Sequence, residues 1–174
     1  MIAASVVIRR TTDADAPLLP AVERSAAQSF STIPELAWIV DDDVLDEAQH
    51  RHFASSGWSW VADVAGEPVG FLCAEHVEDE VHVWEVAVDE AHQQQGIGSR
   101  LMARVEAAAR DVGASAVTLT TFSDVAWNGP FYASRGYEVI DQRAHGPRLR
   151  RILELEVQAG IPGDRRCAMR LRLR

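Results

Sequence analysis

Apolar positions along the chain follow two spacings, and the change from one to the other marks a series of strands and helices. Consecutive or alternating apolar residues, many of them β-branched or aromatic, predict strands. These strands cover residues 6–9, 58–62, 69–74, 81–88, 116–122, 137–140 and 166–173. Apolar residues three or four positions apart predict helices. These cover residues 16–29, a segment with Leu45, Ala48 and Phe53, residues 101–112, a short segment within 123–134, and residues 148–159. Residues 30–44 show neither spacing and are expected to be irregular.

The order of these segments predicts an α/β fold with a single sheet. Strands 58–62 and 69–74 are joined across Gly66-Glu67-Pro68 as a hairpin, so the sheet begins antiparallel. A strand, a helix and a strand follow over residues 81–122 and imply a right-handed parallel crossover. The sheet is therefore mixed and mainly antiparallel, with flanking helices. With 174 residues, of which 47% are hydrophobic, the chain suffices for a single domain over residues 1–174.

The junction between the strand 81–88 and the helix 101–112 carries the first chemical signal, Gln93-Gln94-Gln95-Gly96-Ile97-Gly98-Ser99. A strand, a glycine turn and a helix aim several backbone N–H groups and a positive helix end at one point, which favours a phosphate site. A plain strand-to-helix turn is the alternative, because glycine is the usual residue wherever φ is positive. Leu101 replaces the third glycine of a dinucleotide fold, and no Lys-Ser/Thr pair of a P-loop follows, so both motifs are excluded.

This stretch resembles the Q/R-x-x-G-x-G/A pyrophosphate loop of the GNAT N-acetyltransferase superfamily, matched by Gln93, Gly96 and Gly98. Residues 86–89 resemble the strand before that loop, and residues 127–137 resemble the later aromatic helix and the strand after it. The Trp-Asn-x-Pro-Phe-Tyr run at 127–132 is similar to a bacterial-type branch of the family. The resemblance covers most of residues 5–174. It implies the GNAT fold, in which the two parallel central strands splay apart at the cofactor.

The resemblance implies transfer of an acetyl group from acetyl-CoA to a primary amine, by direct attack in a ternary complex. The matching positions for acetyl-CoA are Val86, Ala87, Val88, Gln93, Gln94, Gln95, Gly96, Ile97, Gly98, Ser99, Arg100, Asn128, Phe131 and Tyr132. A backbone N–H within residues 85–87 is the implied donor to the thioester oxygen. The commoner family pattern places asparagine where this chain has Val125. Asn128, three residues later, therefore either contacts the cofactor or caps the helix that Pro130 helps to begin.

Three residues are candidates for proton transfer. Tyr132 matches the family tyrosine held to protonate the leaving thiolate, and a phenol stays protonated well above neutral pH. The base that deprotonates the amine is Glu85, His82 or a chain of waters. Glu85 is a carboxylate within an apolar strand, and such surroundings raise a carboxyl pKa, whereas the imidazole of His82 titrates near neutral pH. Strand alternation places these two side chains on opposite faces, and Glu85 is slightly favoured.

Net charge limits the partners. The formal charge of −9 argues against nucleic acid and weakly favours cationic partners, such as a small-molecule or peptidyl amine. In the GNAT family the first two helices look over the acceptor site. Five carboxylates there either attract an amine or only complement a helix N-terminus: Asp41, Asp42, Asp43, Asp46 and Glu47. Arg100 and Arg104 either offset the acidic charge near the glycine turn or form a solvated helix face.

The remaining features exclude several classes of site. Cys73 and Cys167 are distant and unclustered, so neither a disulfide nor a metal site is expected, and both are interpreted as small buried residues. The apolar run 1–8 is too short to span a bilayer, so a cytoplasmic protein without a membrane partner is expected. Asp13 or Asp15 is predicted to cap the first helix, with Pro17 in its first turn. The arginines of strand 166–173 are interpreted as a solvated face.

Two functions remain open at this point. The first is the N-acetyltransferase, and the second is a non-catalytic sensor or regulatory module that binds acyl-CoA with the same loop. A sensor needs neither Tyr132 nor a base, so their joint presence favours the enzyme. A homodimer is compatible with the sequence, although no residue specifies one.

Overall fold

A computed structural model of the chain describes residues 5–173, and Met1–Ala4 and Arg174 lie outside it. Seven strands occur in the described residues: β1 (Val6–Arg10), β2 (Ser59–Val64), β3 (Glu67–Val77), β4 (Glu80–Val88), β5 (Ala116–Phe122), β6 (Glu138–Val139) and β7 (Arg166–Arg172). The α-helices described there are α1 (Leu19–Ala27), α2 (Glu47–Ser56), α3 (Ile97–Asp111), α4 (Gly129–Ser134) and α5 (Pro147–Gln158). Each of these elements was predicted from the apolar spacing, and the ends differ by a few residues.

The strands follow the order β1-β2-β3-β4-β5-β7-β6 in one sheet. The pairs β1–β2, β2–β3, β5–β7 and β6–β7 are antiparallel, and β4–β5 is parallel. The predicted α/β fold, with a mixed sheet, a central parallel pair and flanking helices, is therefore confirmed.

The described chain divides into two compact units. The first contains the described residues up to Glu75 together with Trp84–Ala108, and its core packs Leu19, Val22, Val61, Phe71 and Cys73. The second contains His76–Val83 and the described residues from Ala109 onward, with a core cluster of Ile140, Leu149, Ile152 and Ala168. Strand β4 contributes to both units. The expectation of a single domain stays a prediction.

The parallel pair is short. Its register runs from Glu80 opposite Ala116 to Val83 opposite Leu119, which takes in the first four residues of each strand. Strand β4 continues to Val88. Residues 84–88 therefore lie outside this ladder, and the splay of the two strands stays a prediction.

The start of α1 differs from the prediction. The helix begins at Leu19, and Leu18 at its N-cap makes no side-chain cap. Asp15 instead accepts hydrogen bonds from the Thr12 N–H and the Arg9 guanidinium, each at 2.8 Å. The prediction that Asp13 or Asp15 caps this helix was wrong, because the arginine on β1 holds the carboxylate in the preceding turn. The proline in the first helical turn is Pro20, not Pro17.

Two further predictions needed correction. Residues 30–44, expected to be irregular, include most of two 3₁₀ helices, Gln28–Thr32 and Pro34–Asp41. The solvated face predicted for β7 was wrong for Arg166 and Arg170, which are partly buried in ion pairs of 2.9 Å with Glu156 and Glu80. Helix α5 packs against β7 and brings Glu156 over this face.

The two cysteines, both predicted to be buried, differ in their exposure to solvent. Cys73 is buried as expected, whereas Cys167 is half-buried.

Within residues 5–173, none of the helices is both long enough and apolar enough to cross a membrane.

Candidate functional site

Polar side chains fix the glycine loop to the end of β4. Asp89 accepts hydrogen bonds from the Ser25 hydroxyl at 2.6 Å and the Ala91 N–H at 3.1 Å. The Gln93 amide donates to the Val88 carbonyl at 3.0 Å and accepts from the Ser29 hydroxyl at 2.9 Å. The side chain of Gln93 is thus used within the protein. The predicted contact of Gln93 with acetyl-CoA stays a prediction.

The loop backbone turns sharply before α3. Gln94 and Gly96 have φ of +59° and +78°. The Arg100 N–H donates to the Gly96 carbonyl at 3.1 Å, so the N–H groups of Ile97, Gly98 and Ser99 come before the first helical hydrogen bond. These groups and the positive end of the 15-residue helix form an anion-binding geometry. This backbone is compatible with the predicted phosphate site, which stays a prediction.

The guanidinium of Arg100 makes a hydrogen bond within the protein. It donates to the Val6 carbonyl of β1 at 2.8 Å. The side chain therefore ties α3 to β1, and its predicted role toward acetyl-CoA stays a prediction.

The carboxyl half of β4 joins this loop to a cavity. Glu85 accepts a hydrogen bond from the Val86 N–H at 3.1 Å, and Ala87 is buried. On β3, a Cβ added at Gly70 would lie 3.1 Å from the Ala87 carbonyl oxygen. The absence of a side chain at Gly70 thus lets β3 approach β4 closely, a contact that sequence reasoning missed.

A cavity of about 740 Å³ opens beside Glu85. Helix α1, the segment leading into α2, α2 itself and β4 all contribute to its wall. Its charged lining residues are Glu23, Arg24, Asp43, Asp46 and Glu85. Its apolar lining residues are Val44, Leu45, Phe53 and Trp84. Four carboxylates against one guanidinium make the cavity acidic.

Glu23 is the lining carboxylate that sequence reasoning missed. Its carboxylate accepts a hydrogen bond from the Leu45 N–H at 3.1 Å. Burial raises the pKa of Glu23 to about 7, against the opposing effects of that hydrogen bond and of Arg24. The sequence signal was weak, because Glu23-Arg24 looks like any solvent-facing helical pair.

The charges of Glu85 and Glu23 both affect the ionisation of the Cys73 thiol. Burial raises the pKa of the Cys73 thiol far above its usual value, and the charges of Glu85 and then Glu23 raise it further, while a hydrogen bond with Ser59 opposes the shift. Cys73 is therefore a neutral thiol and unsuited to nucleophilic chemistry.

The acidic residues before and within α2 separate into two groups. Asp43 and Asp46 line the cavity, and Asp46 also caps α2 by accepting from the Gln49 N–H at 2.8 Å. Glu47 instead pairs with Arg51 one turn along the exposed face of α2. Asp41 and Asp42 are exposed and do not line the cavity.

His82 occupies a closed environment in the second unit. It is 1% exposed, and its Nδ1 lies 3.0 Å from the Thr118 hydroxyl on β5. Burial and, to a smaller extent, the positive charge of Arg148 lower the pKa of His82 to about 3. An imidazole with this pKa is a weak base at neutral pH.

Tyr132 is buried on α4, which begins with Pro130 in its first turn as predicted. Its ring meets Phe131 and Tyr137 edge to face, at centroid distances of 5.1 and 5.7 Å. Asn128 occupies the N-cap position, but its side chain makes no cap hydrogen bond. Its amide N–H donates to the Trp127 carbonyl at 3.1 Å. The capping alternative for Asn128 was therefore wrong, and its contact with a cofactor stays a prediction.

We expect Gly129→Ala to destabilise the protein. An added Cβ would lie 2.6 Å from the Ser123 carbonyl oxygen and 2.9 Å from that of Phe122, so the helix bearing Tyr132 would have to shift. Overpacking of this kind costs about 1–3 kcal/mol, which lowers Tm by several degrees in thermal unfolding. Gly146→Ser is the control, because a Cβ at Gly146 meets no atom within 4 Å and serine suits its N-cap position. Equal Tm values for the two variants would contradict this packing.

Within residues 5–173, no group of three or more His, Cys, Asp and Glu side chains is arranged to hold a metal ion.

The chain is similar in sequence to one family and in fold to several solved proteins. The model of the acetyltransferase (GNAT) family matches residues 23–137. The fold resembles that of the PaiA N-acetyltransferase from Thermoplasma acidophilum, solved in complex with coenzyme A, with a TM-score of 0.73 and 14% identity over 97% of this chain and 99% of that one.

Two other solved structures share the fold. Rv2747 from Mycobacterium tuberculosis, in complex with CoA and NLQ, has a TM-score of 0.69 and 23% identity over 97% of this chain and 99% of that one. The ribosomal-protein-S18-alanine N-acetyltransferase from Escherichia coli has a TM-score of 0.67 and 19% identity over 97% of this chain and 94% of that one.

Proposed function

The chain belongs to the acetyltransferase (GNAT) family, and from this membership we propose that it transfers an acetyl group from acetyl-CoA to a primary amine of a small molecule or peptide. The observation that carries the proposal is one continuous segment, residues 85–100, which joins an acidic cavity to an anion-binding helix end. The Trp-Asn-Gly-Pro-Phe-Tyr run at 127–132 supports placing the chain in a bacterial-type branch. The cytoplasmic location and the homodimer stay predictions.

The residues around α3 fit acetyl-CoA. The N–H groups of Ile97, Gly98 and Ser99 suit the pyrophosphate, because they precede the first helical hydrogen bond and lie at the positive end of the helix. Residues 86–88 extend past the β4–β5 ladder, so this backbone suits the pantetheine arm. The Val86 N–H donates to Glu85, and it becomes a donor to the thioester oxygen when Glu85 turns toward the amine.

The acceptor amine enters the acidic cavity beside Glu85. An alkylamine has a pKa of about 10, so it arrives as an ammonium ion and must lose a proton before its lone pair attacks the thioester carbon. We assign that proton to Glu85, which lines the cavity. The burial and low pKa of His82 support this choice. Attack in a ternary complex follows, because the amine and the thioester reach the two ends of the same short stretch of β4.

We expect Tyr132→Phe to lower kcat by about 10²-fold or more, since general acid catalysis contributes about 10²–10⁴ and the leaving thiolate would lose its proton donor. The dissociation constant of acetyl-CoA should change little, because the ring is retained. Tyr137→Phe is the matched control, a buried tyrosine whose ring meets that of Tyr132 edge to face. Steady-state kinetics of both variants make the comparison. Equal kcat values would remove Tyr132 from the mechanism.

A thiol-release assay with acetyl-CoA tests the proposed function. The acceptors are polyamines, aminoglycosides, amino acids and lysine peptides. Amine-dependent release of CoA is the expected result. Tight binding of acetyl-CoA without turnover of any amine would overturn the proposal in favour of an acyl-CoA sensor.

A further inference from the structure

We propose that Glu23 binds the ammonium group of the acceptor and thereby makes the cavity selective for amines that arrive protonated. This inference rests on the proposed function, because it concerns the same acceptor cavity. It assigns a different task to each of two carboxylates. Glu23 holds the cation, and Glu85 receives its proton.

The position of Glu23 is fixed from two sides. Helix α1 places the side chain on the cavity wall, and the Leu45 N–H donates to its carboxylate at 3.1 Å. Leu45 belongs to the segment that leads into α2, so this hydrogen bond links two walls of the cavity. A carboxylate held in this way presents its second oxygen without a large loss of side-chain entropy on binding.

The charges around Glu23 favour an external cation. Glu23 and Glu85 line the same cavity, and both raise the pKa of Cys73. Burial of like charges in one cavity is unfavourable unless a positive group accompanies them. Arg24 acts on Glu23 through its charge but supplies no hydrogen bond to it. An ammonium group supplies both the charge and the hydrogen bonds.

The apolar wall suits the rest of such an acceptor. Leu45, Phe53 and Trp84 line the cavity together with the carboxylates, and Trp84 is 42% exposed. Alkyl groups pack against these side chains, and an aromatic face attracts a nearby cation. An alkylamine therefore matches the cavity better than an alcohol of the same shape.

Acceptor binding should depend on the ionisation of Glu23. Since the pKa of Glu23 is raised to about 7, the fraction of the carboxylate that is charged rises through neutral pH, while an alkylamine remains protonated. Affinity for the amine should therefore increase between about pH 6 and about pH 8. The titratable and charged groups around Glu23 are Arg24 on α1, Asp43 and Asp46 before α2, Glu85 on β4 and the Cys73 thiol on β3.

Calorimetric titration of pentylamine, cadaverine and pentanol into the full chain, with and without coenzyme A, tests the inference. Glu23→Gln keeps an oxygen for the Leu45 N–H while removing the charge. Glu47→Gln is the matched control, since Glu47 is exposed and pairs with Arg51 outside the cavity. Binding of the amines but not of pentanol is expected. Glu23→Gln should weaken amine binding by about tenfold or more and abolish its pH dependence, while Glu47→Gln should match the wild type.

Three results of the binding experiment would overturn the inference. The first is that pentanol binds as tightly as pentylamine. The second is that the wild type binds neither pentylamine nor cadaverine. The third is that Glu23→Gln binds both amines with the same affinity as the wild type across the pH range. The same experiments distinguish a failure of this inference from a failure of the proposed function. Glu23-dependent amine binding without acetyl transfer would overturn that function alone, whereas acetyl transfer unaffected by Glu23→Gln would overturn the inference alone.

Discussion

Replacement of Glu85 by glutamine is expected to lower kcat by about 10²- to 10⁴-fold, with little change in the dissociation constant of acetyl-CoA. Glutamine keeps an oxygen for the Val86 N–H, so the local backbone is preserved while the proton acceptor is lost. The remaining activity should rise with pH, because only the small unprotonated fraction of the amine can then attack. Steady-state kinetics over a range of pH measures both effects.

His82→Gln is the comparison for this variant. His82 is buried against Thr118, so its replacement should lower Tm and leave the pH profile of kcat unchanged. A loss of kcat in His82→Gln with normal kcat in Glu85→Gln would make His82 the base. Normal kcat in both variants would assign the proton to a chain of waters.

Replacement of Gly96 by glutamate is expected to raise the dissociation constant of acetyl-CoA by about 100-fold or more. Gly96 has φ of +78°, so a side chain there strains the turn that aims the N–H groups of α3. The added carboxylate also repels the phosphates that this helix end is built to bind. Calorimetric titration with acetyl-CoA measures the loss.

Gly66→Glu is the control for Gly96→Glu. It shows how much of the loss of acetyl-CoA binding comes from backbone strain and added negative charge at a site away from α3. Gly66 has φ of +93° in the turn between β2 and β3, and an added Cβ meets no atom within 4 Å, as at Gly96. Both variants therefore carry a similar backbone strain and the same added charge. Only Gly96→Glu should lose acetyl-CoA binding. Equal loss in the two variants, or normal binding in Gly96→Glu, would contradict the phosphate site at α3.

Local patterns predicted the fold and the loop well, because their causes are local. The strand before Asp89, the glycine turn at Gly96 and the helix after it follow from residue types in one short stretch. The helix begins at Ile97, four residues before the predicted start at Leu101. The parallel pair β4–β5 follows in turn from the strand-helix-strand order. These predictions did not require knowledge of any contact distant in sequence.

The errors and omissions involve contacts that residue spacing does not specify. Asp15 was predicted to cap a helix, but its carboxylate accepts a hydrogen bond from the Arg9 guanidinium. This ion pair depends on the conformation of the turn that follows β1. Glu23 acquires its raised pKa from burial and its position from the Leu45 N–H, 22 residues away. At Gly70 a Cβ would lie only 3.1 Å from the Ala87 carbonyl oxygen, a close approach of β3 to β4. None of these contacts has a signature in residue spacing.

Identification of both products by mass spectrometry tests the central claim most directly. The protein is incubated with acetyl-CoA and each amine of the acceptor panel, and free CoA and acetylated amine are quantified together. We predict that at least one amine gains an acetyl group in a one-to-one ratio with CoA release, and that Glu85→Gln loses both products together. CoA release without any acetylated amine would show hydrolysis rather than transfer, and bound acetyl-CoA with neither product would contradict an enzyme.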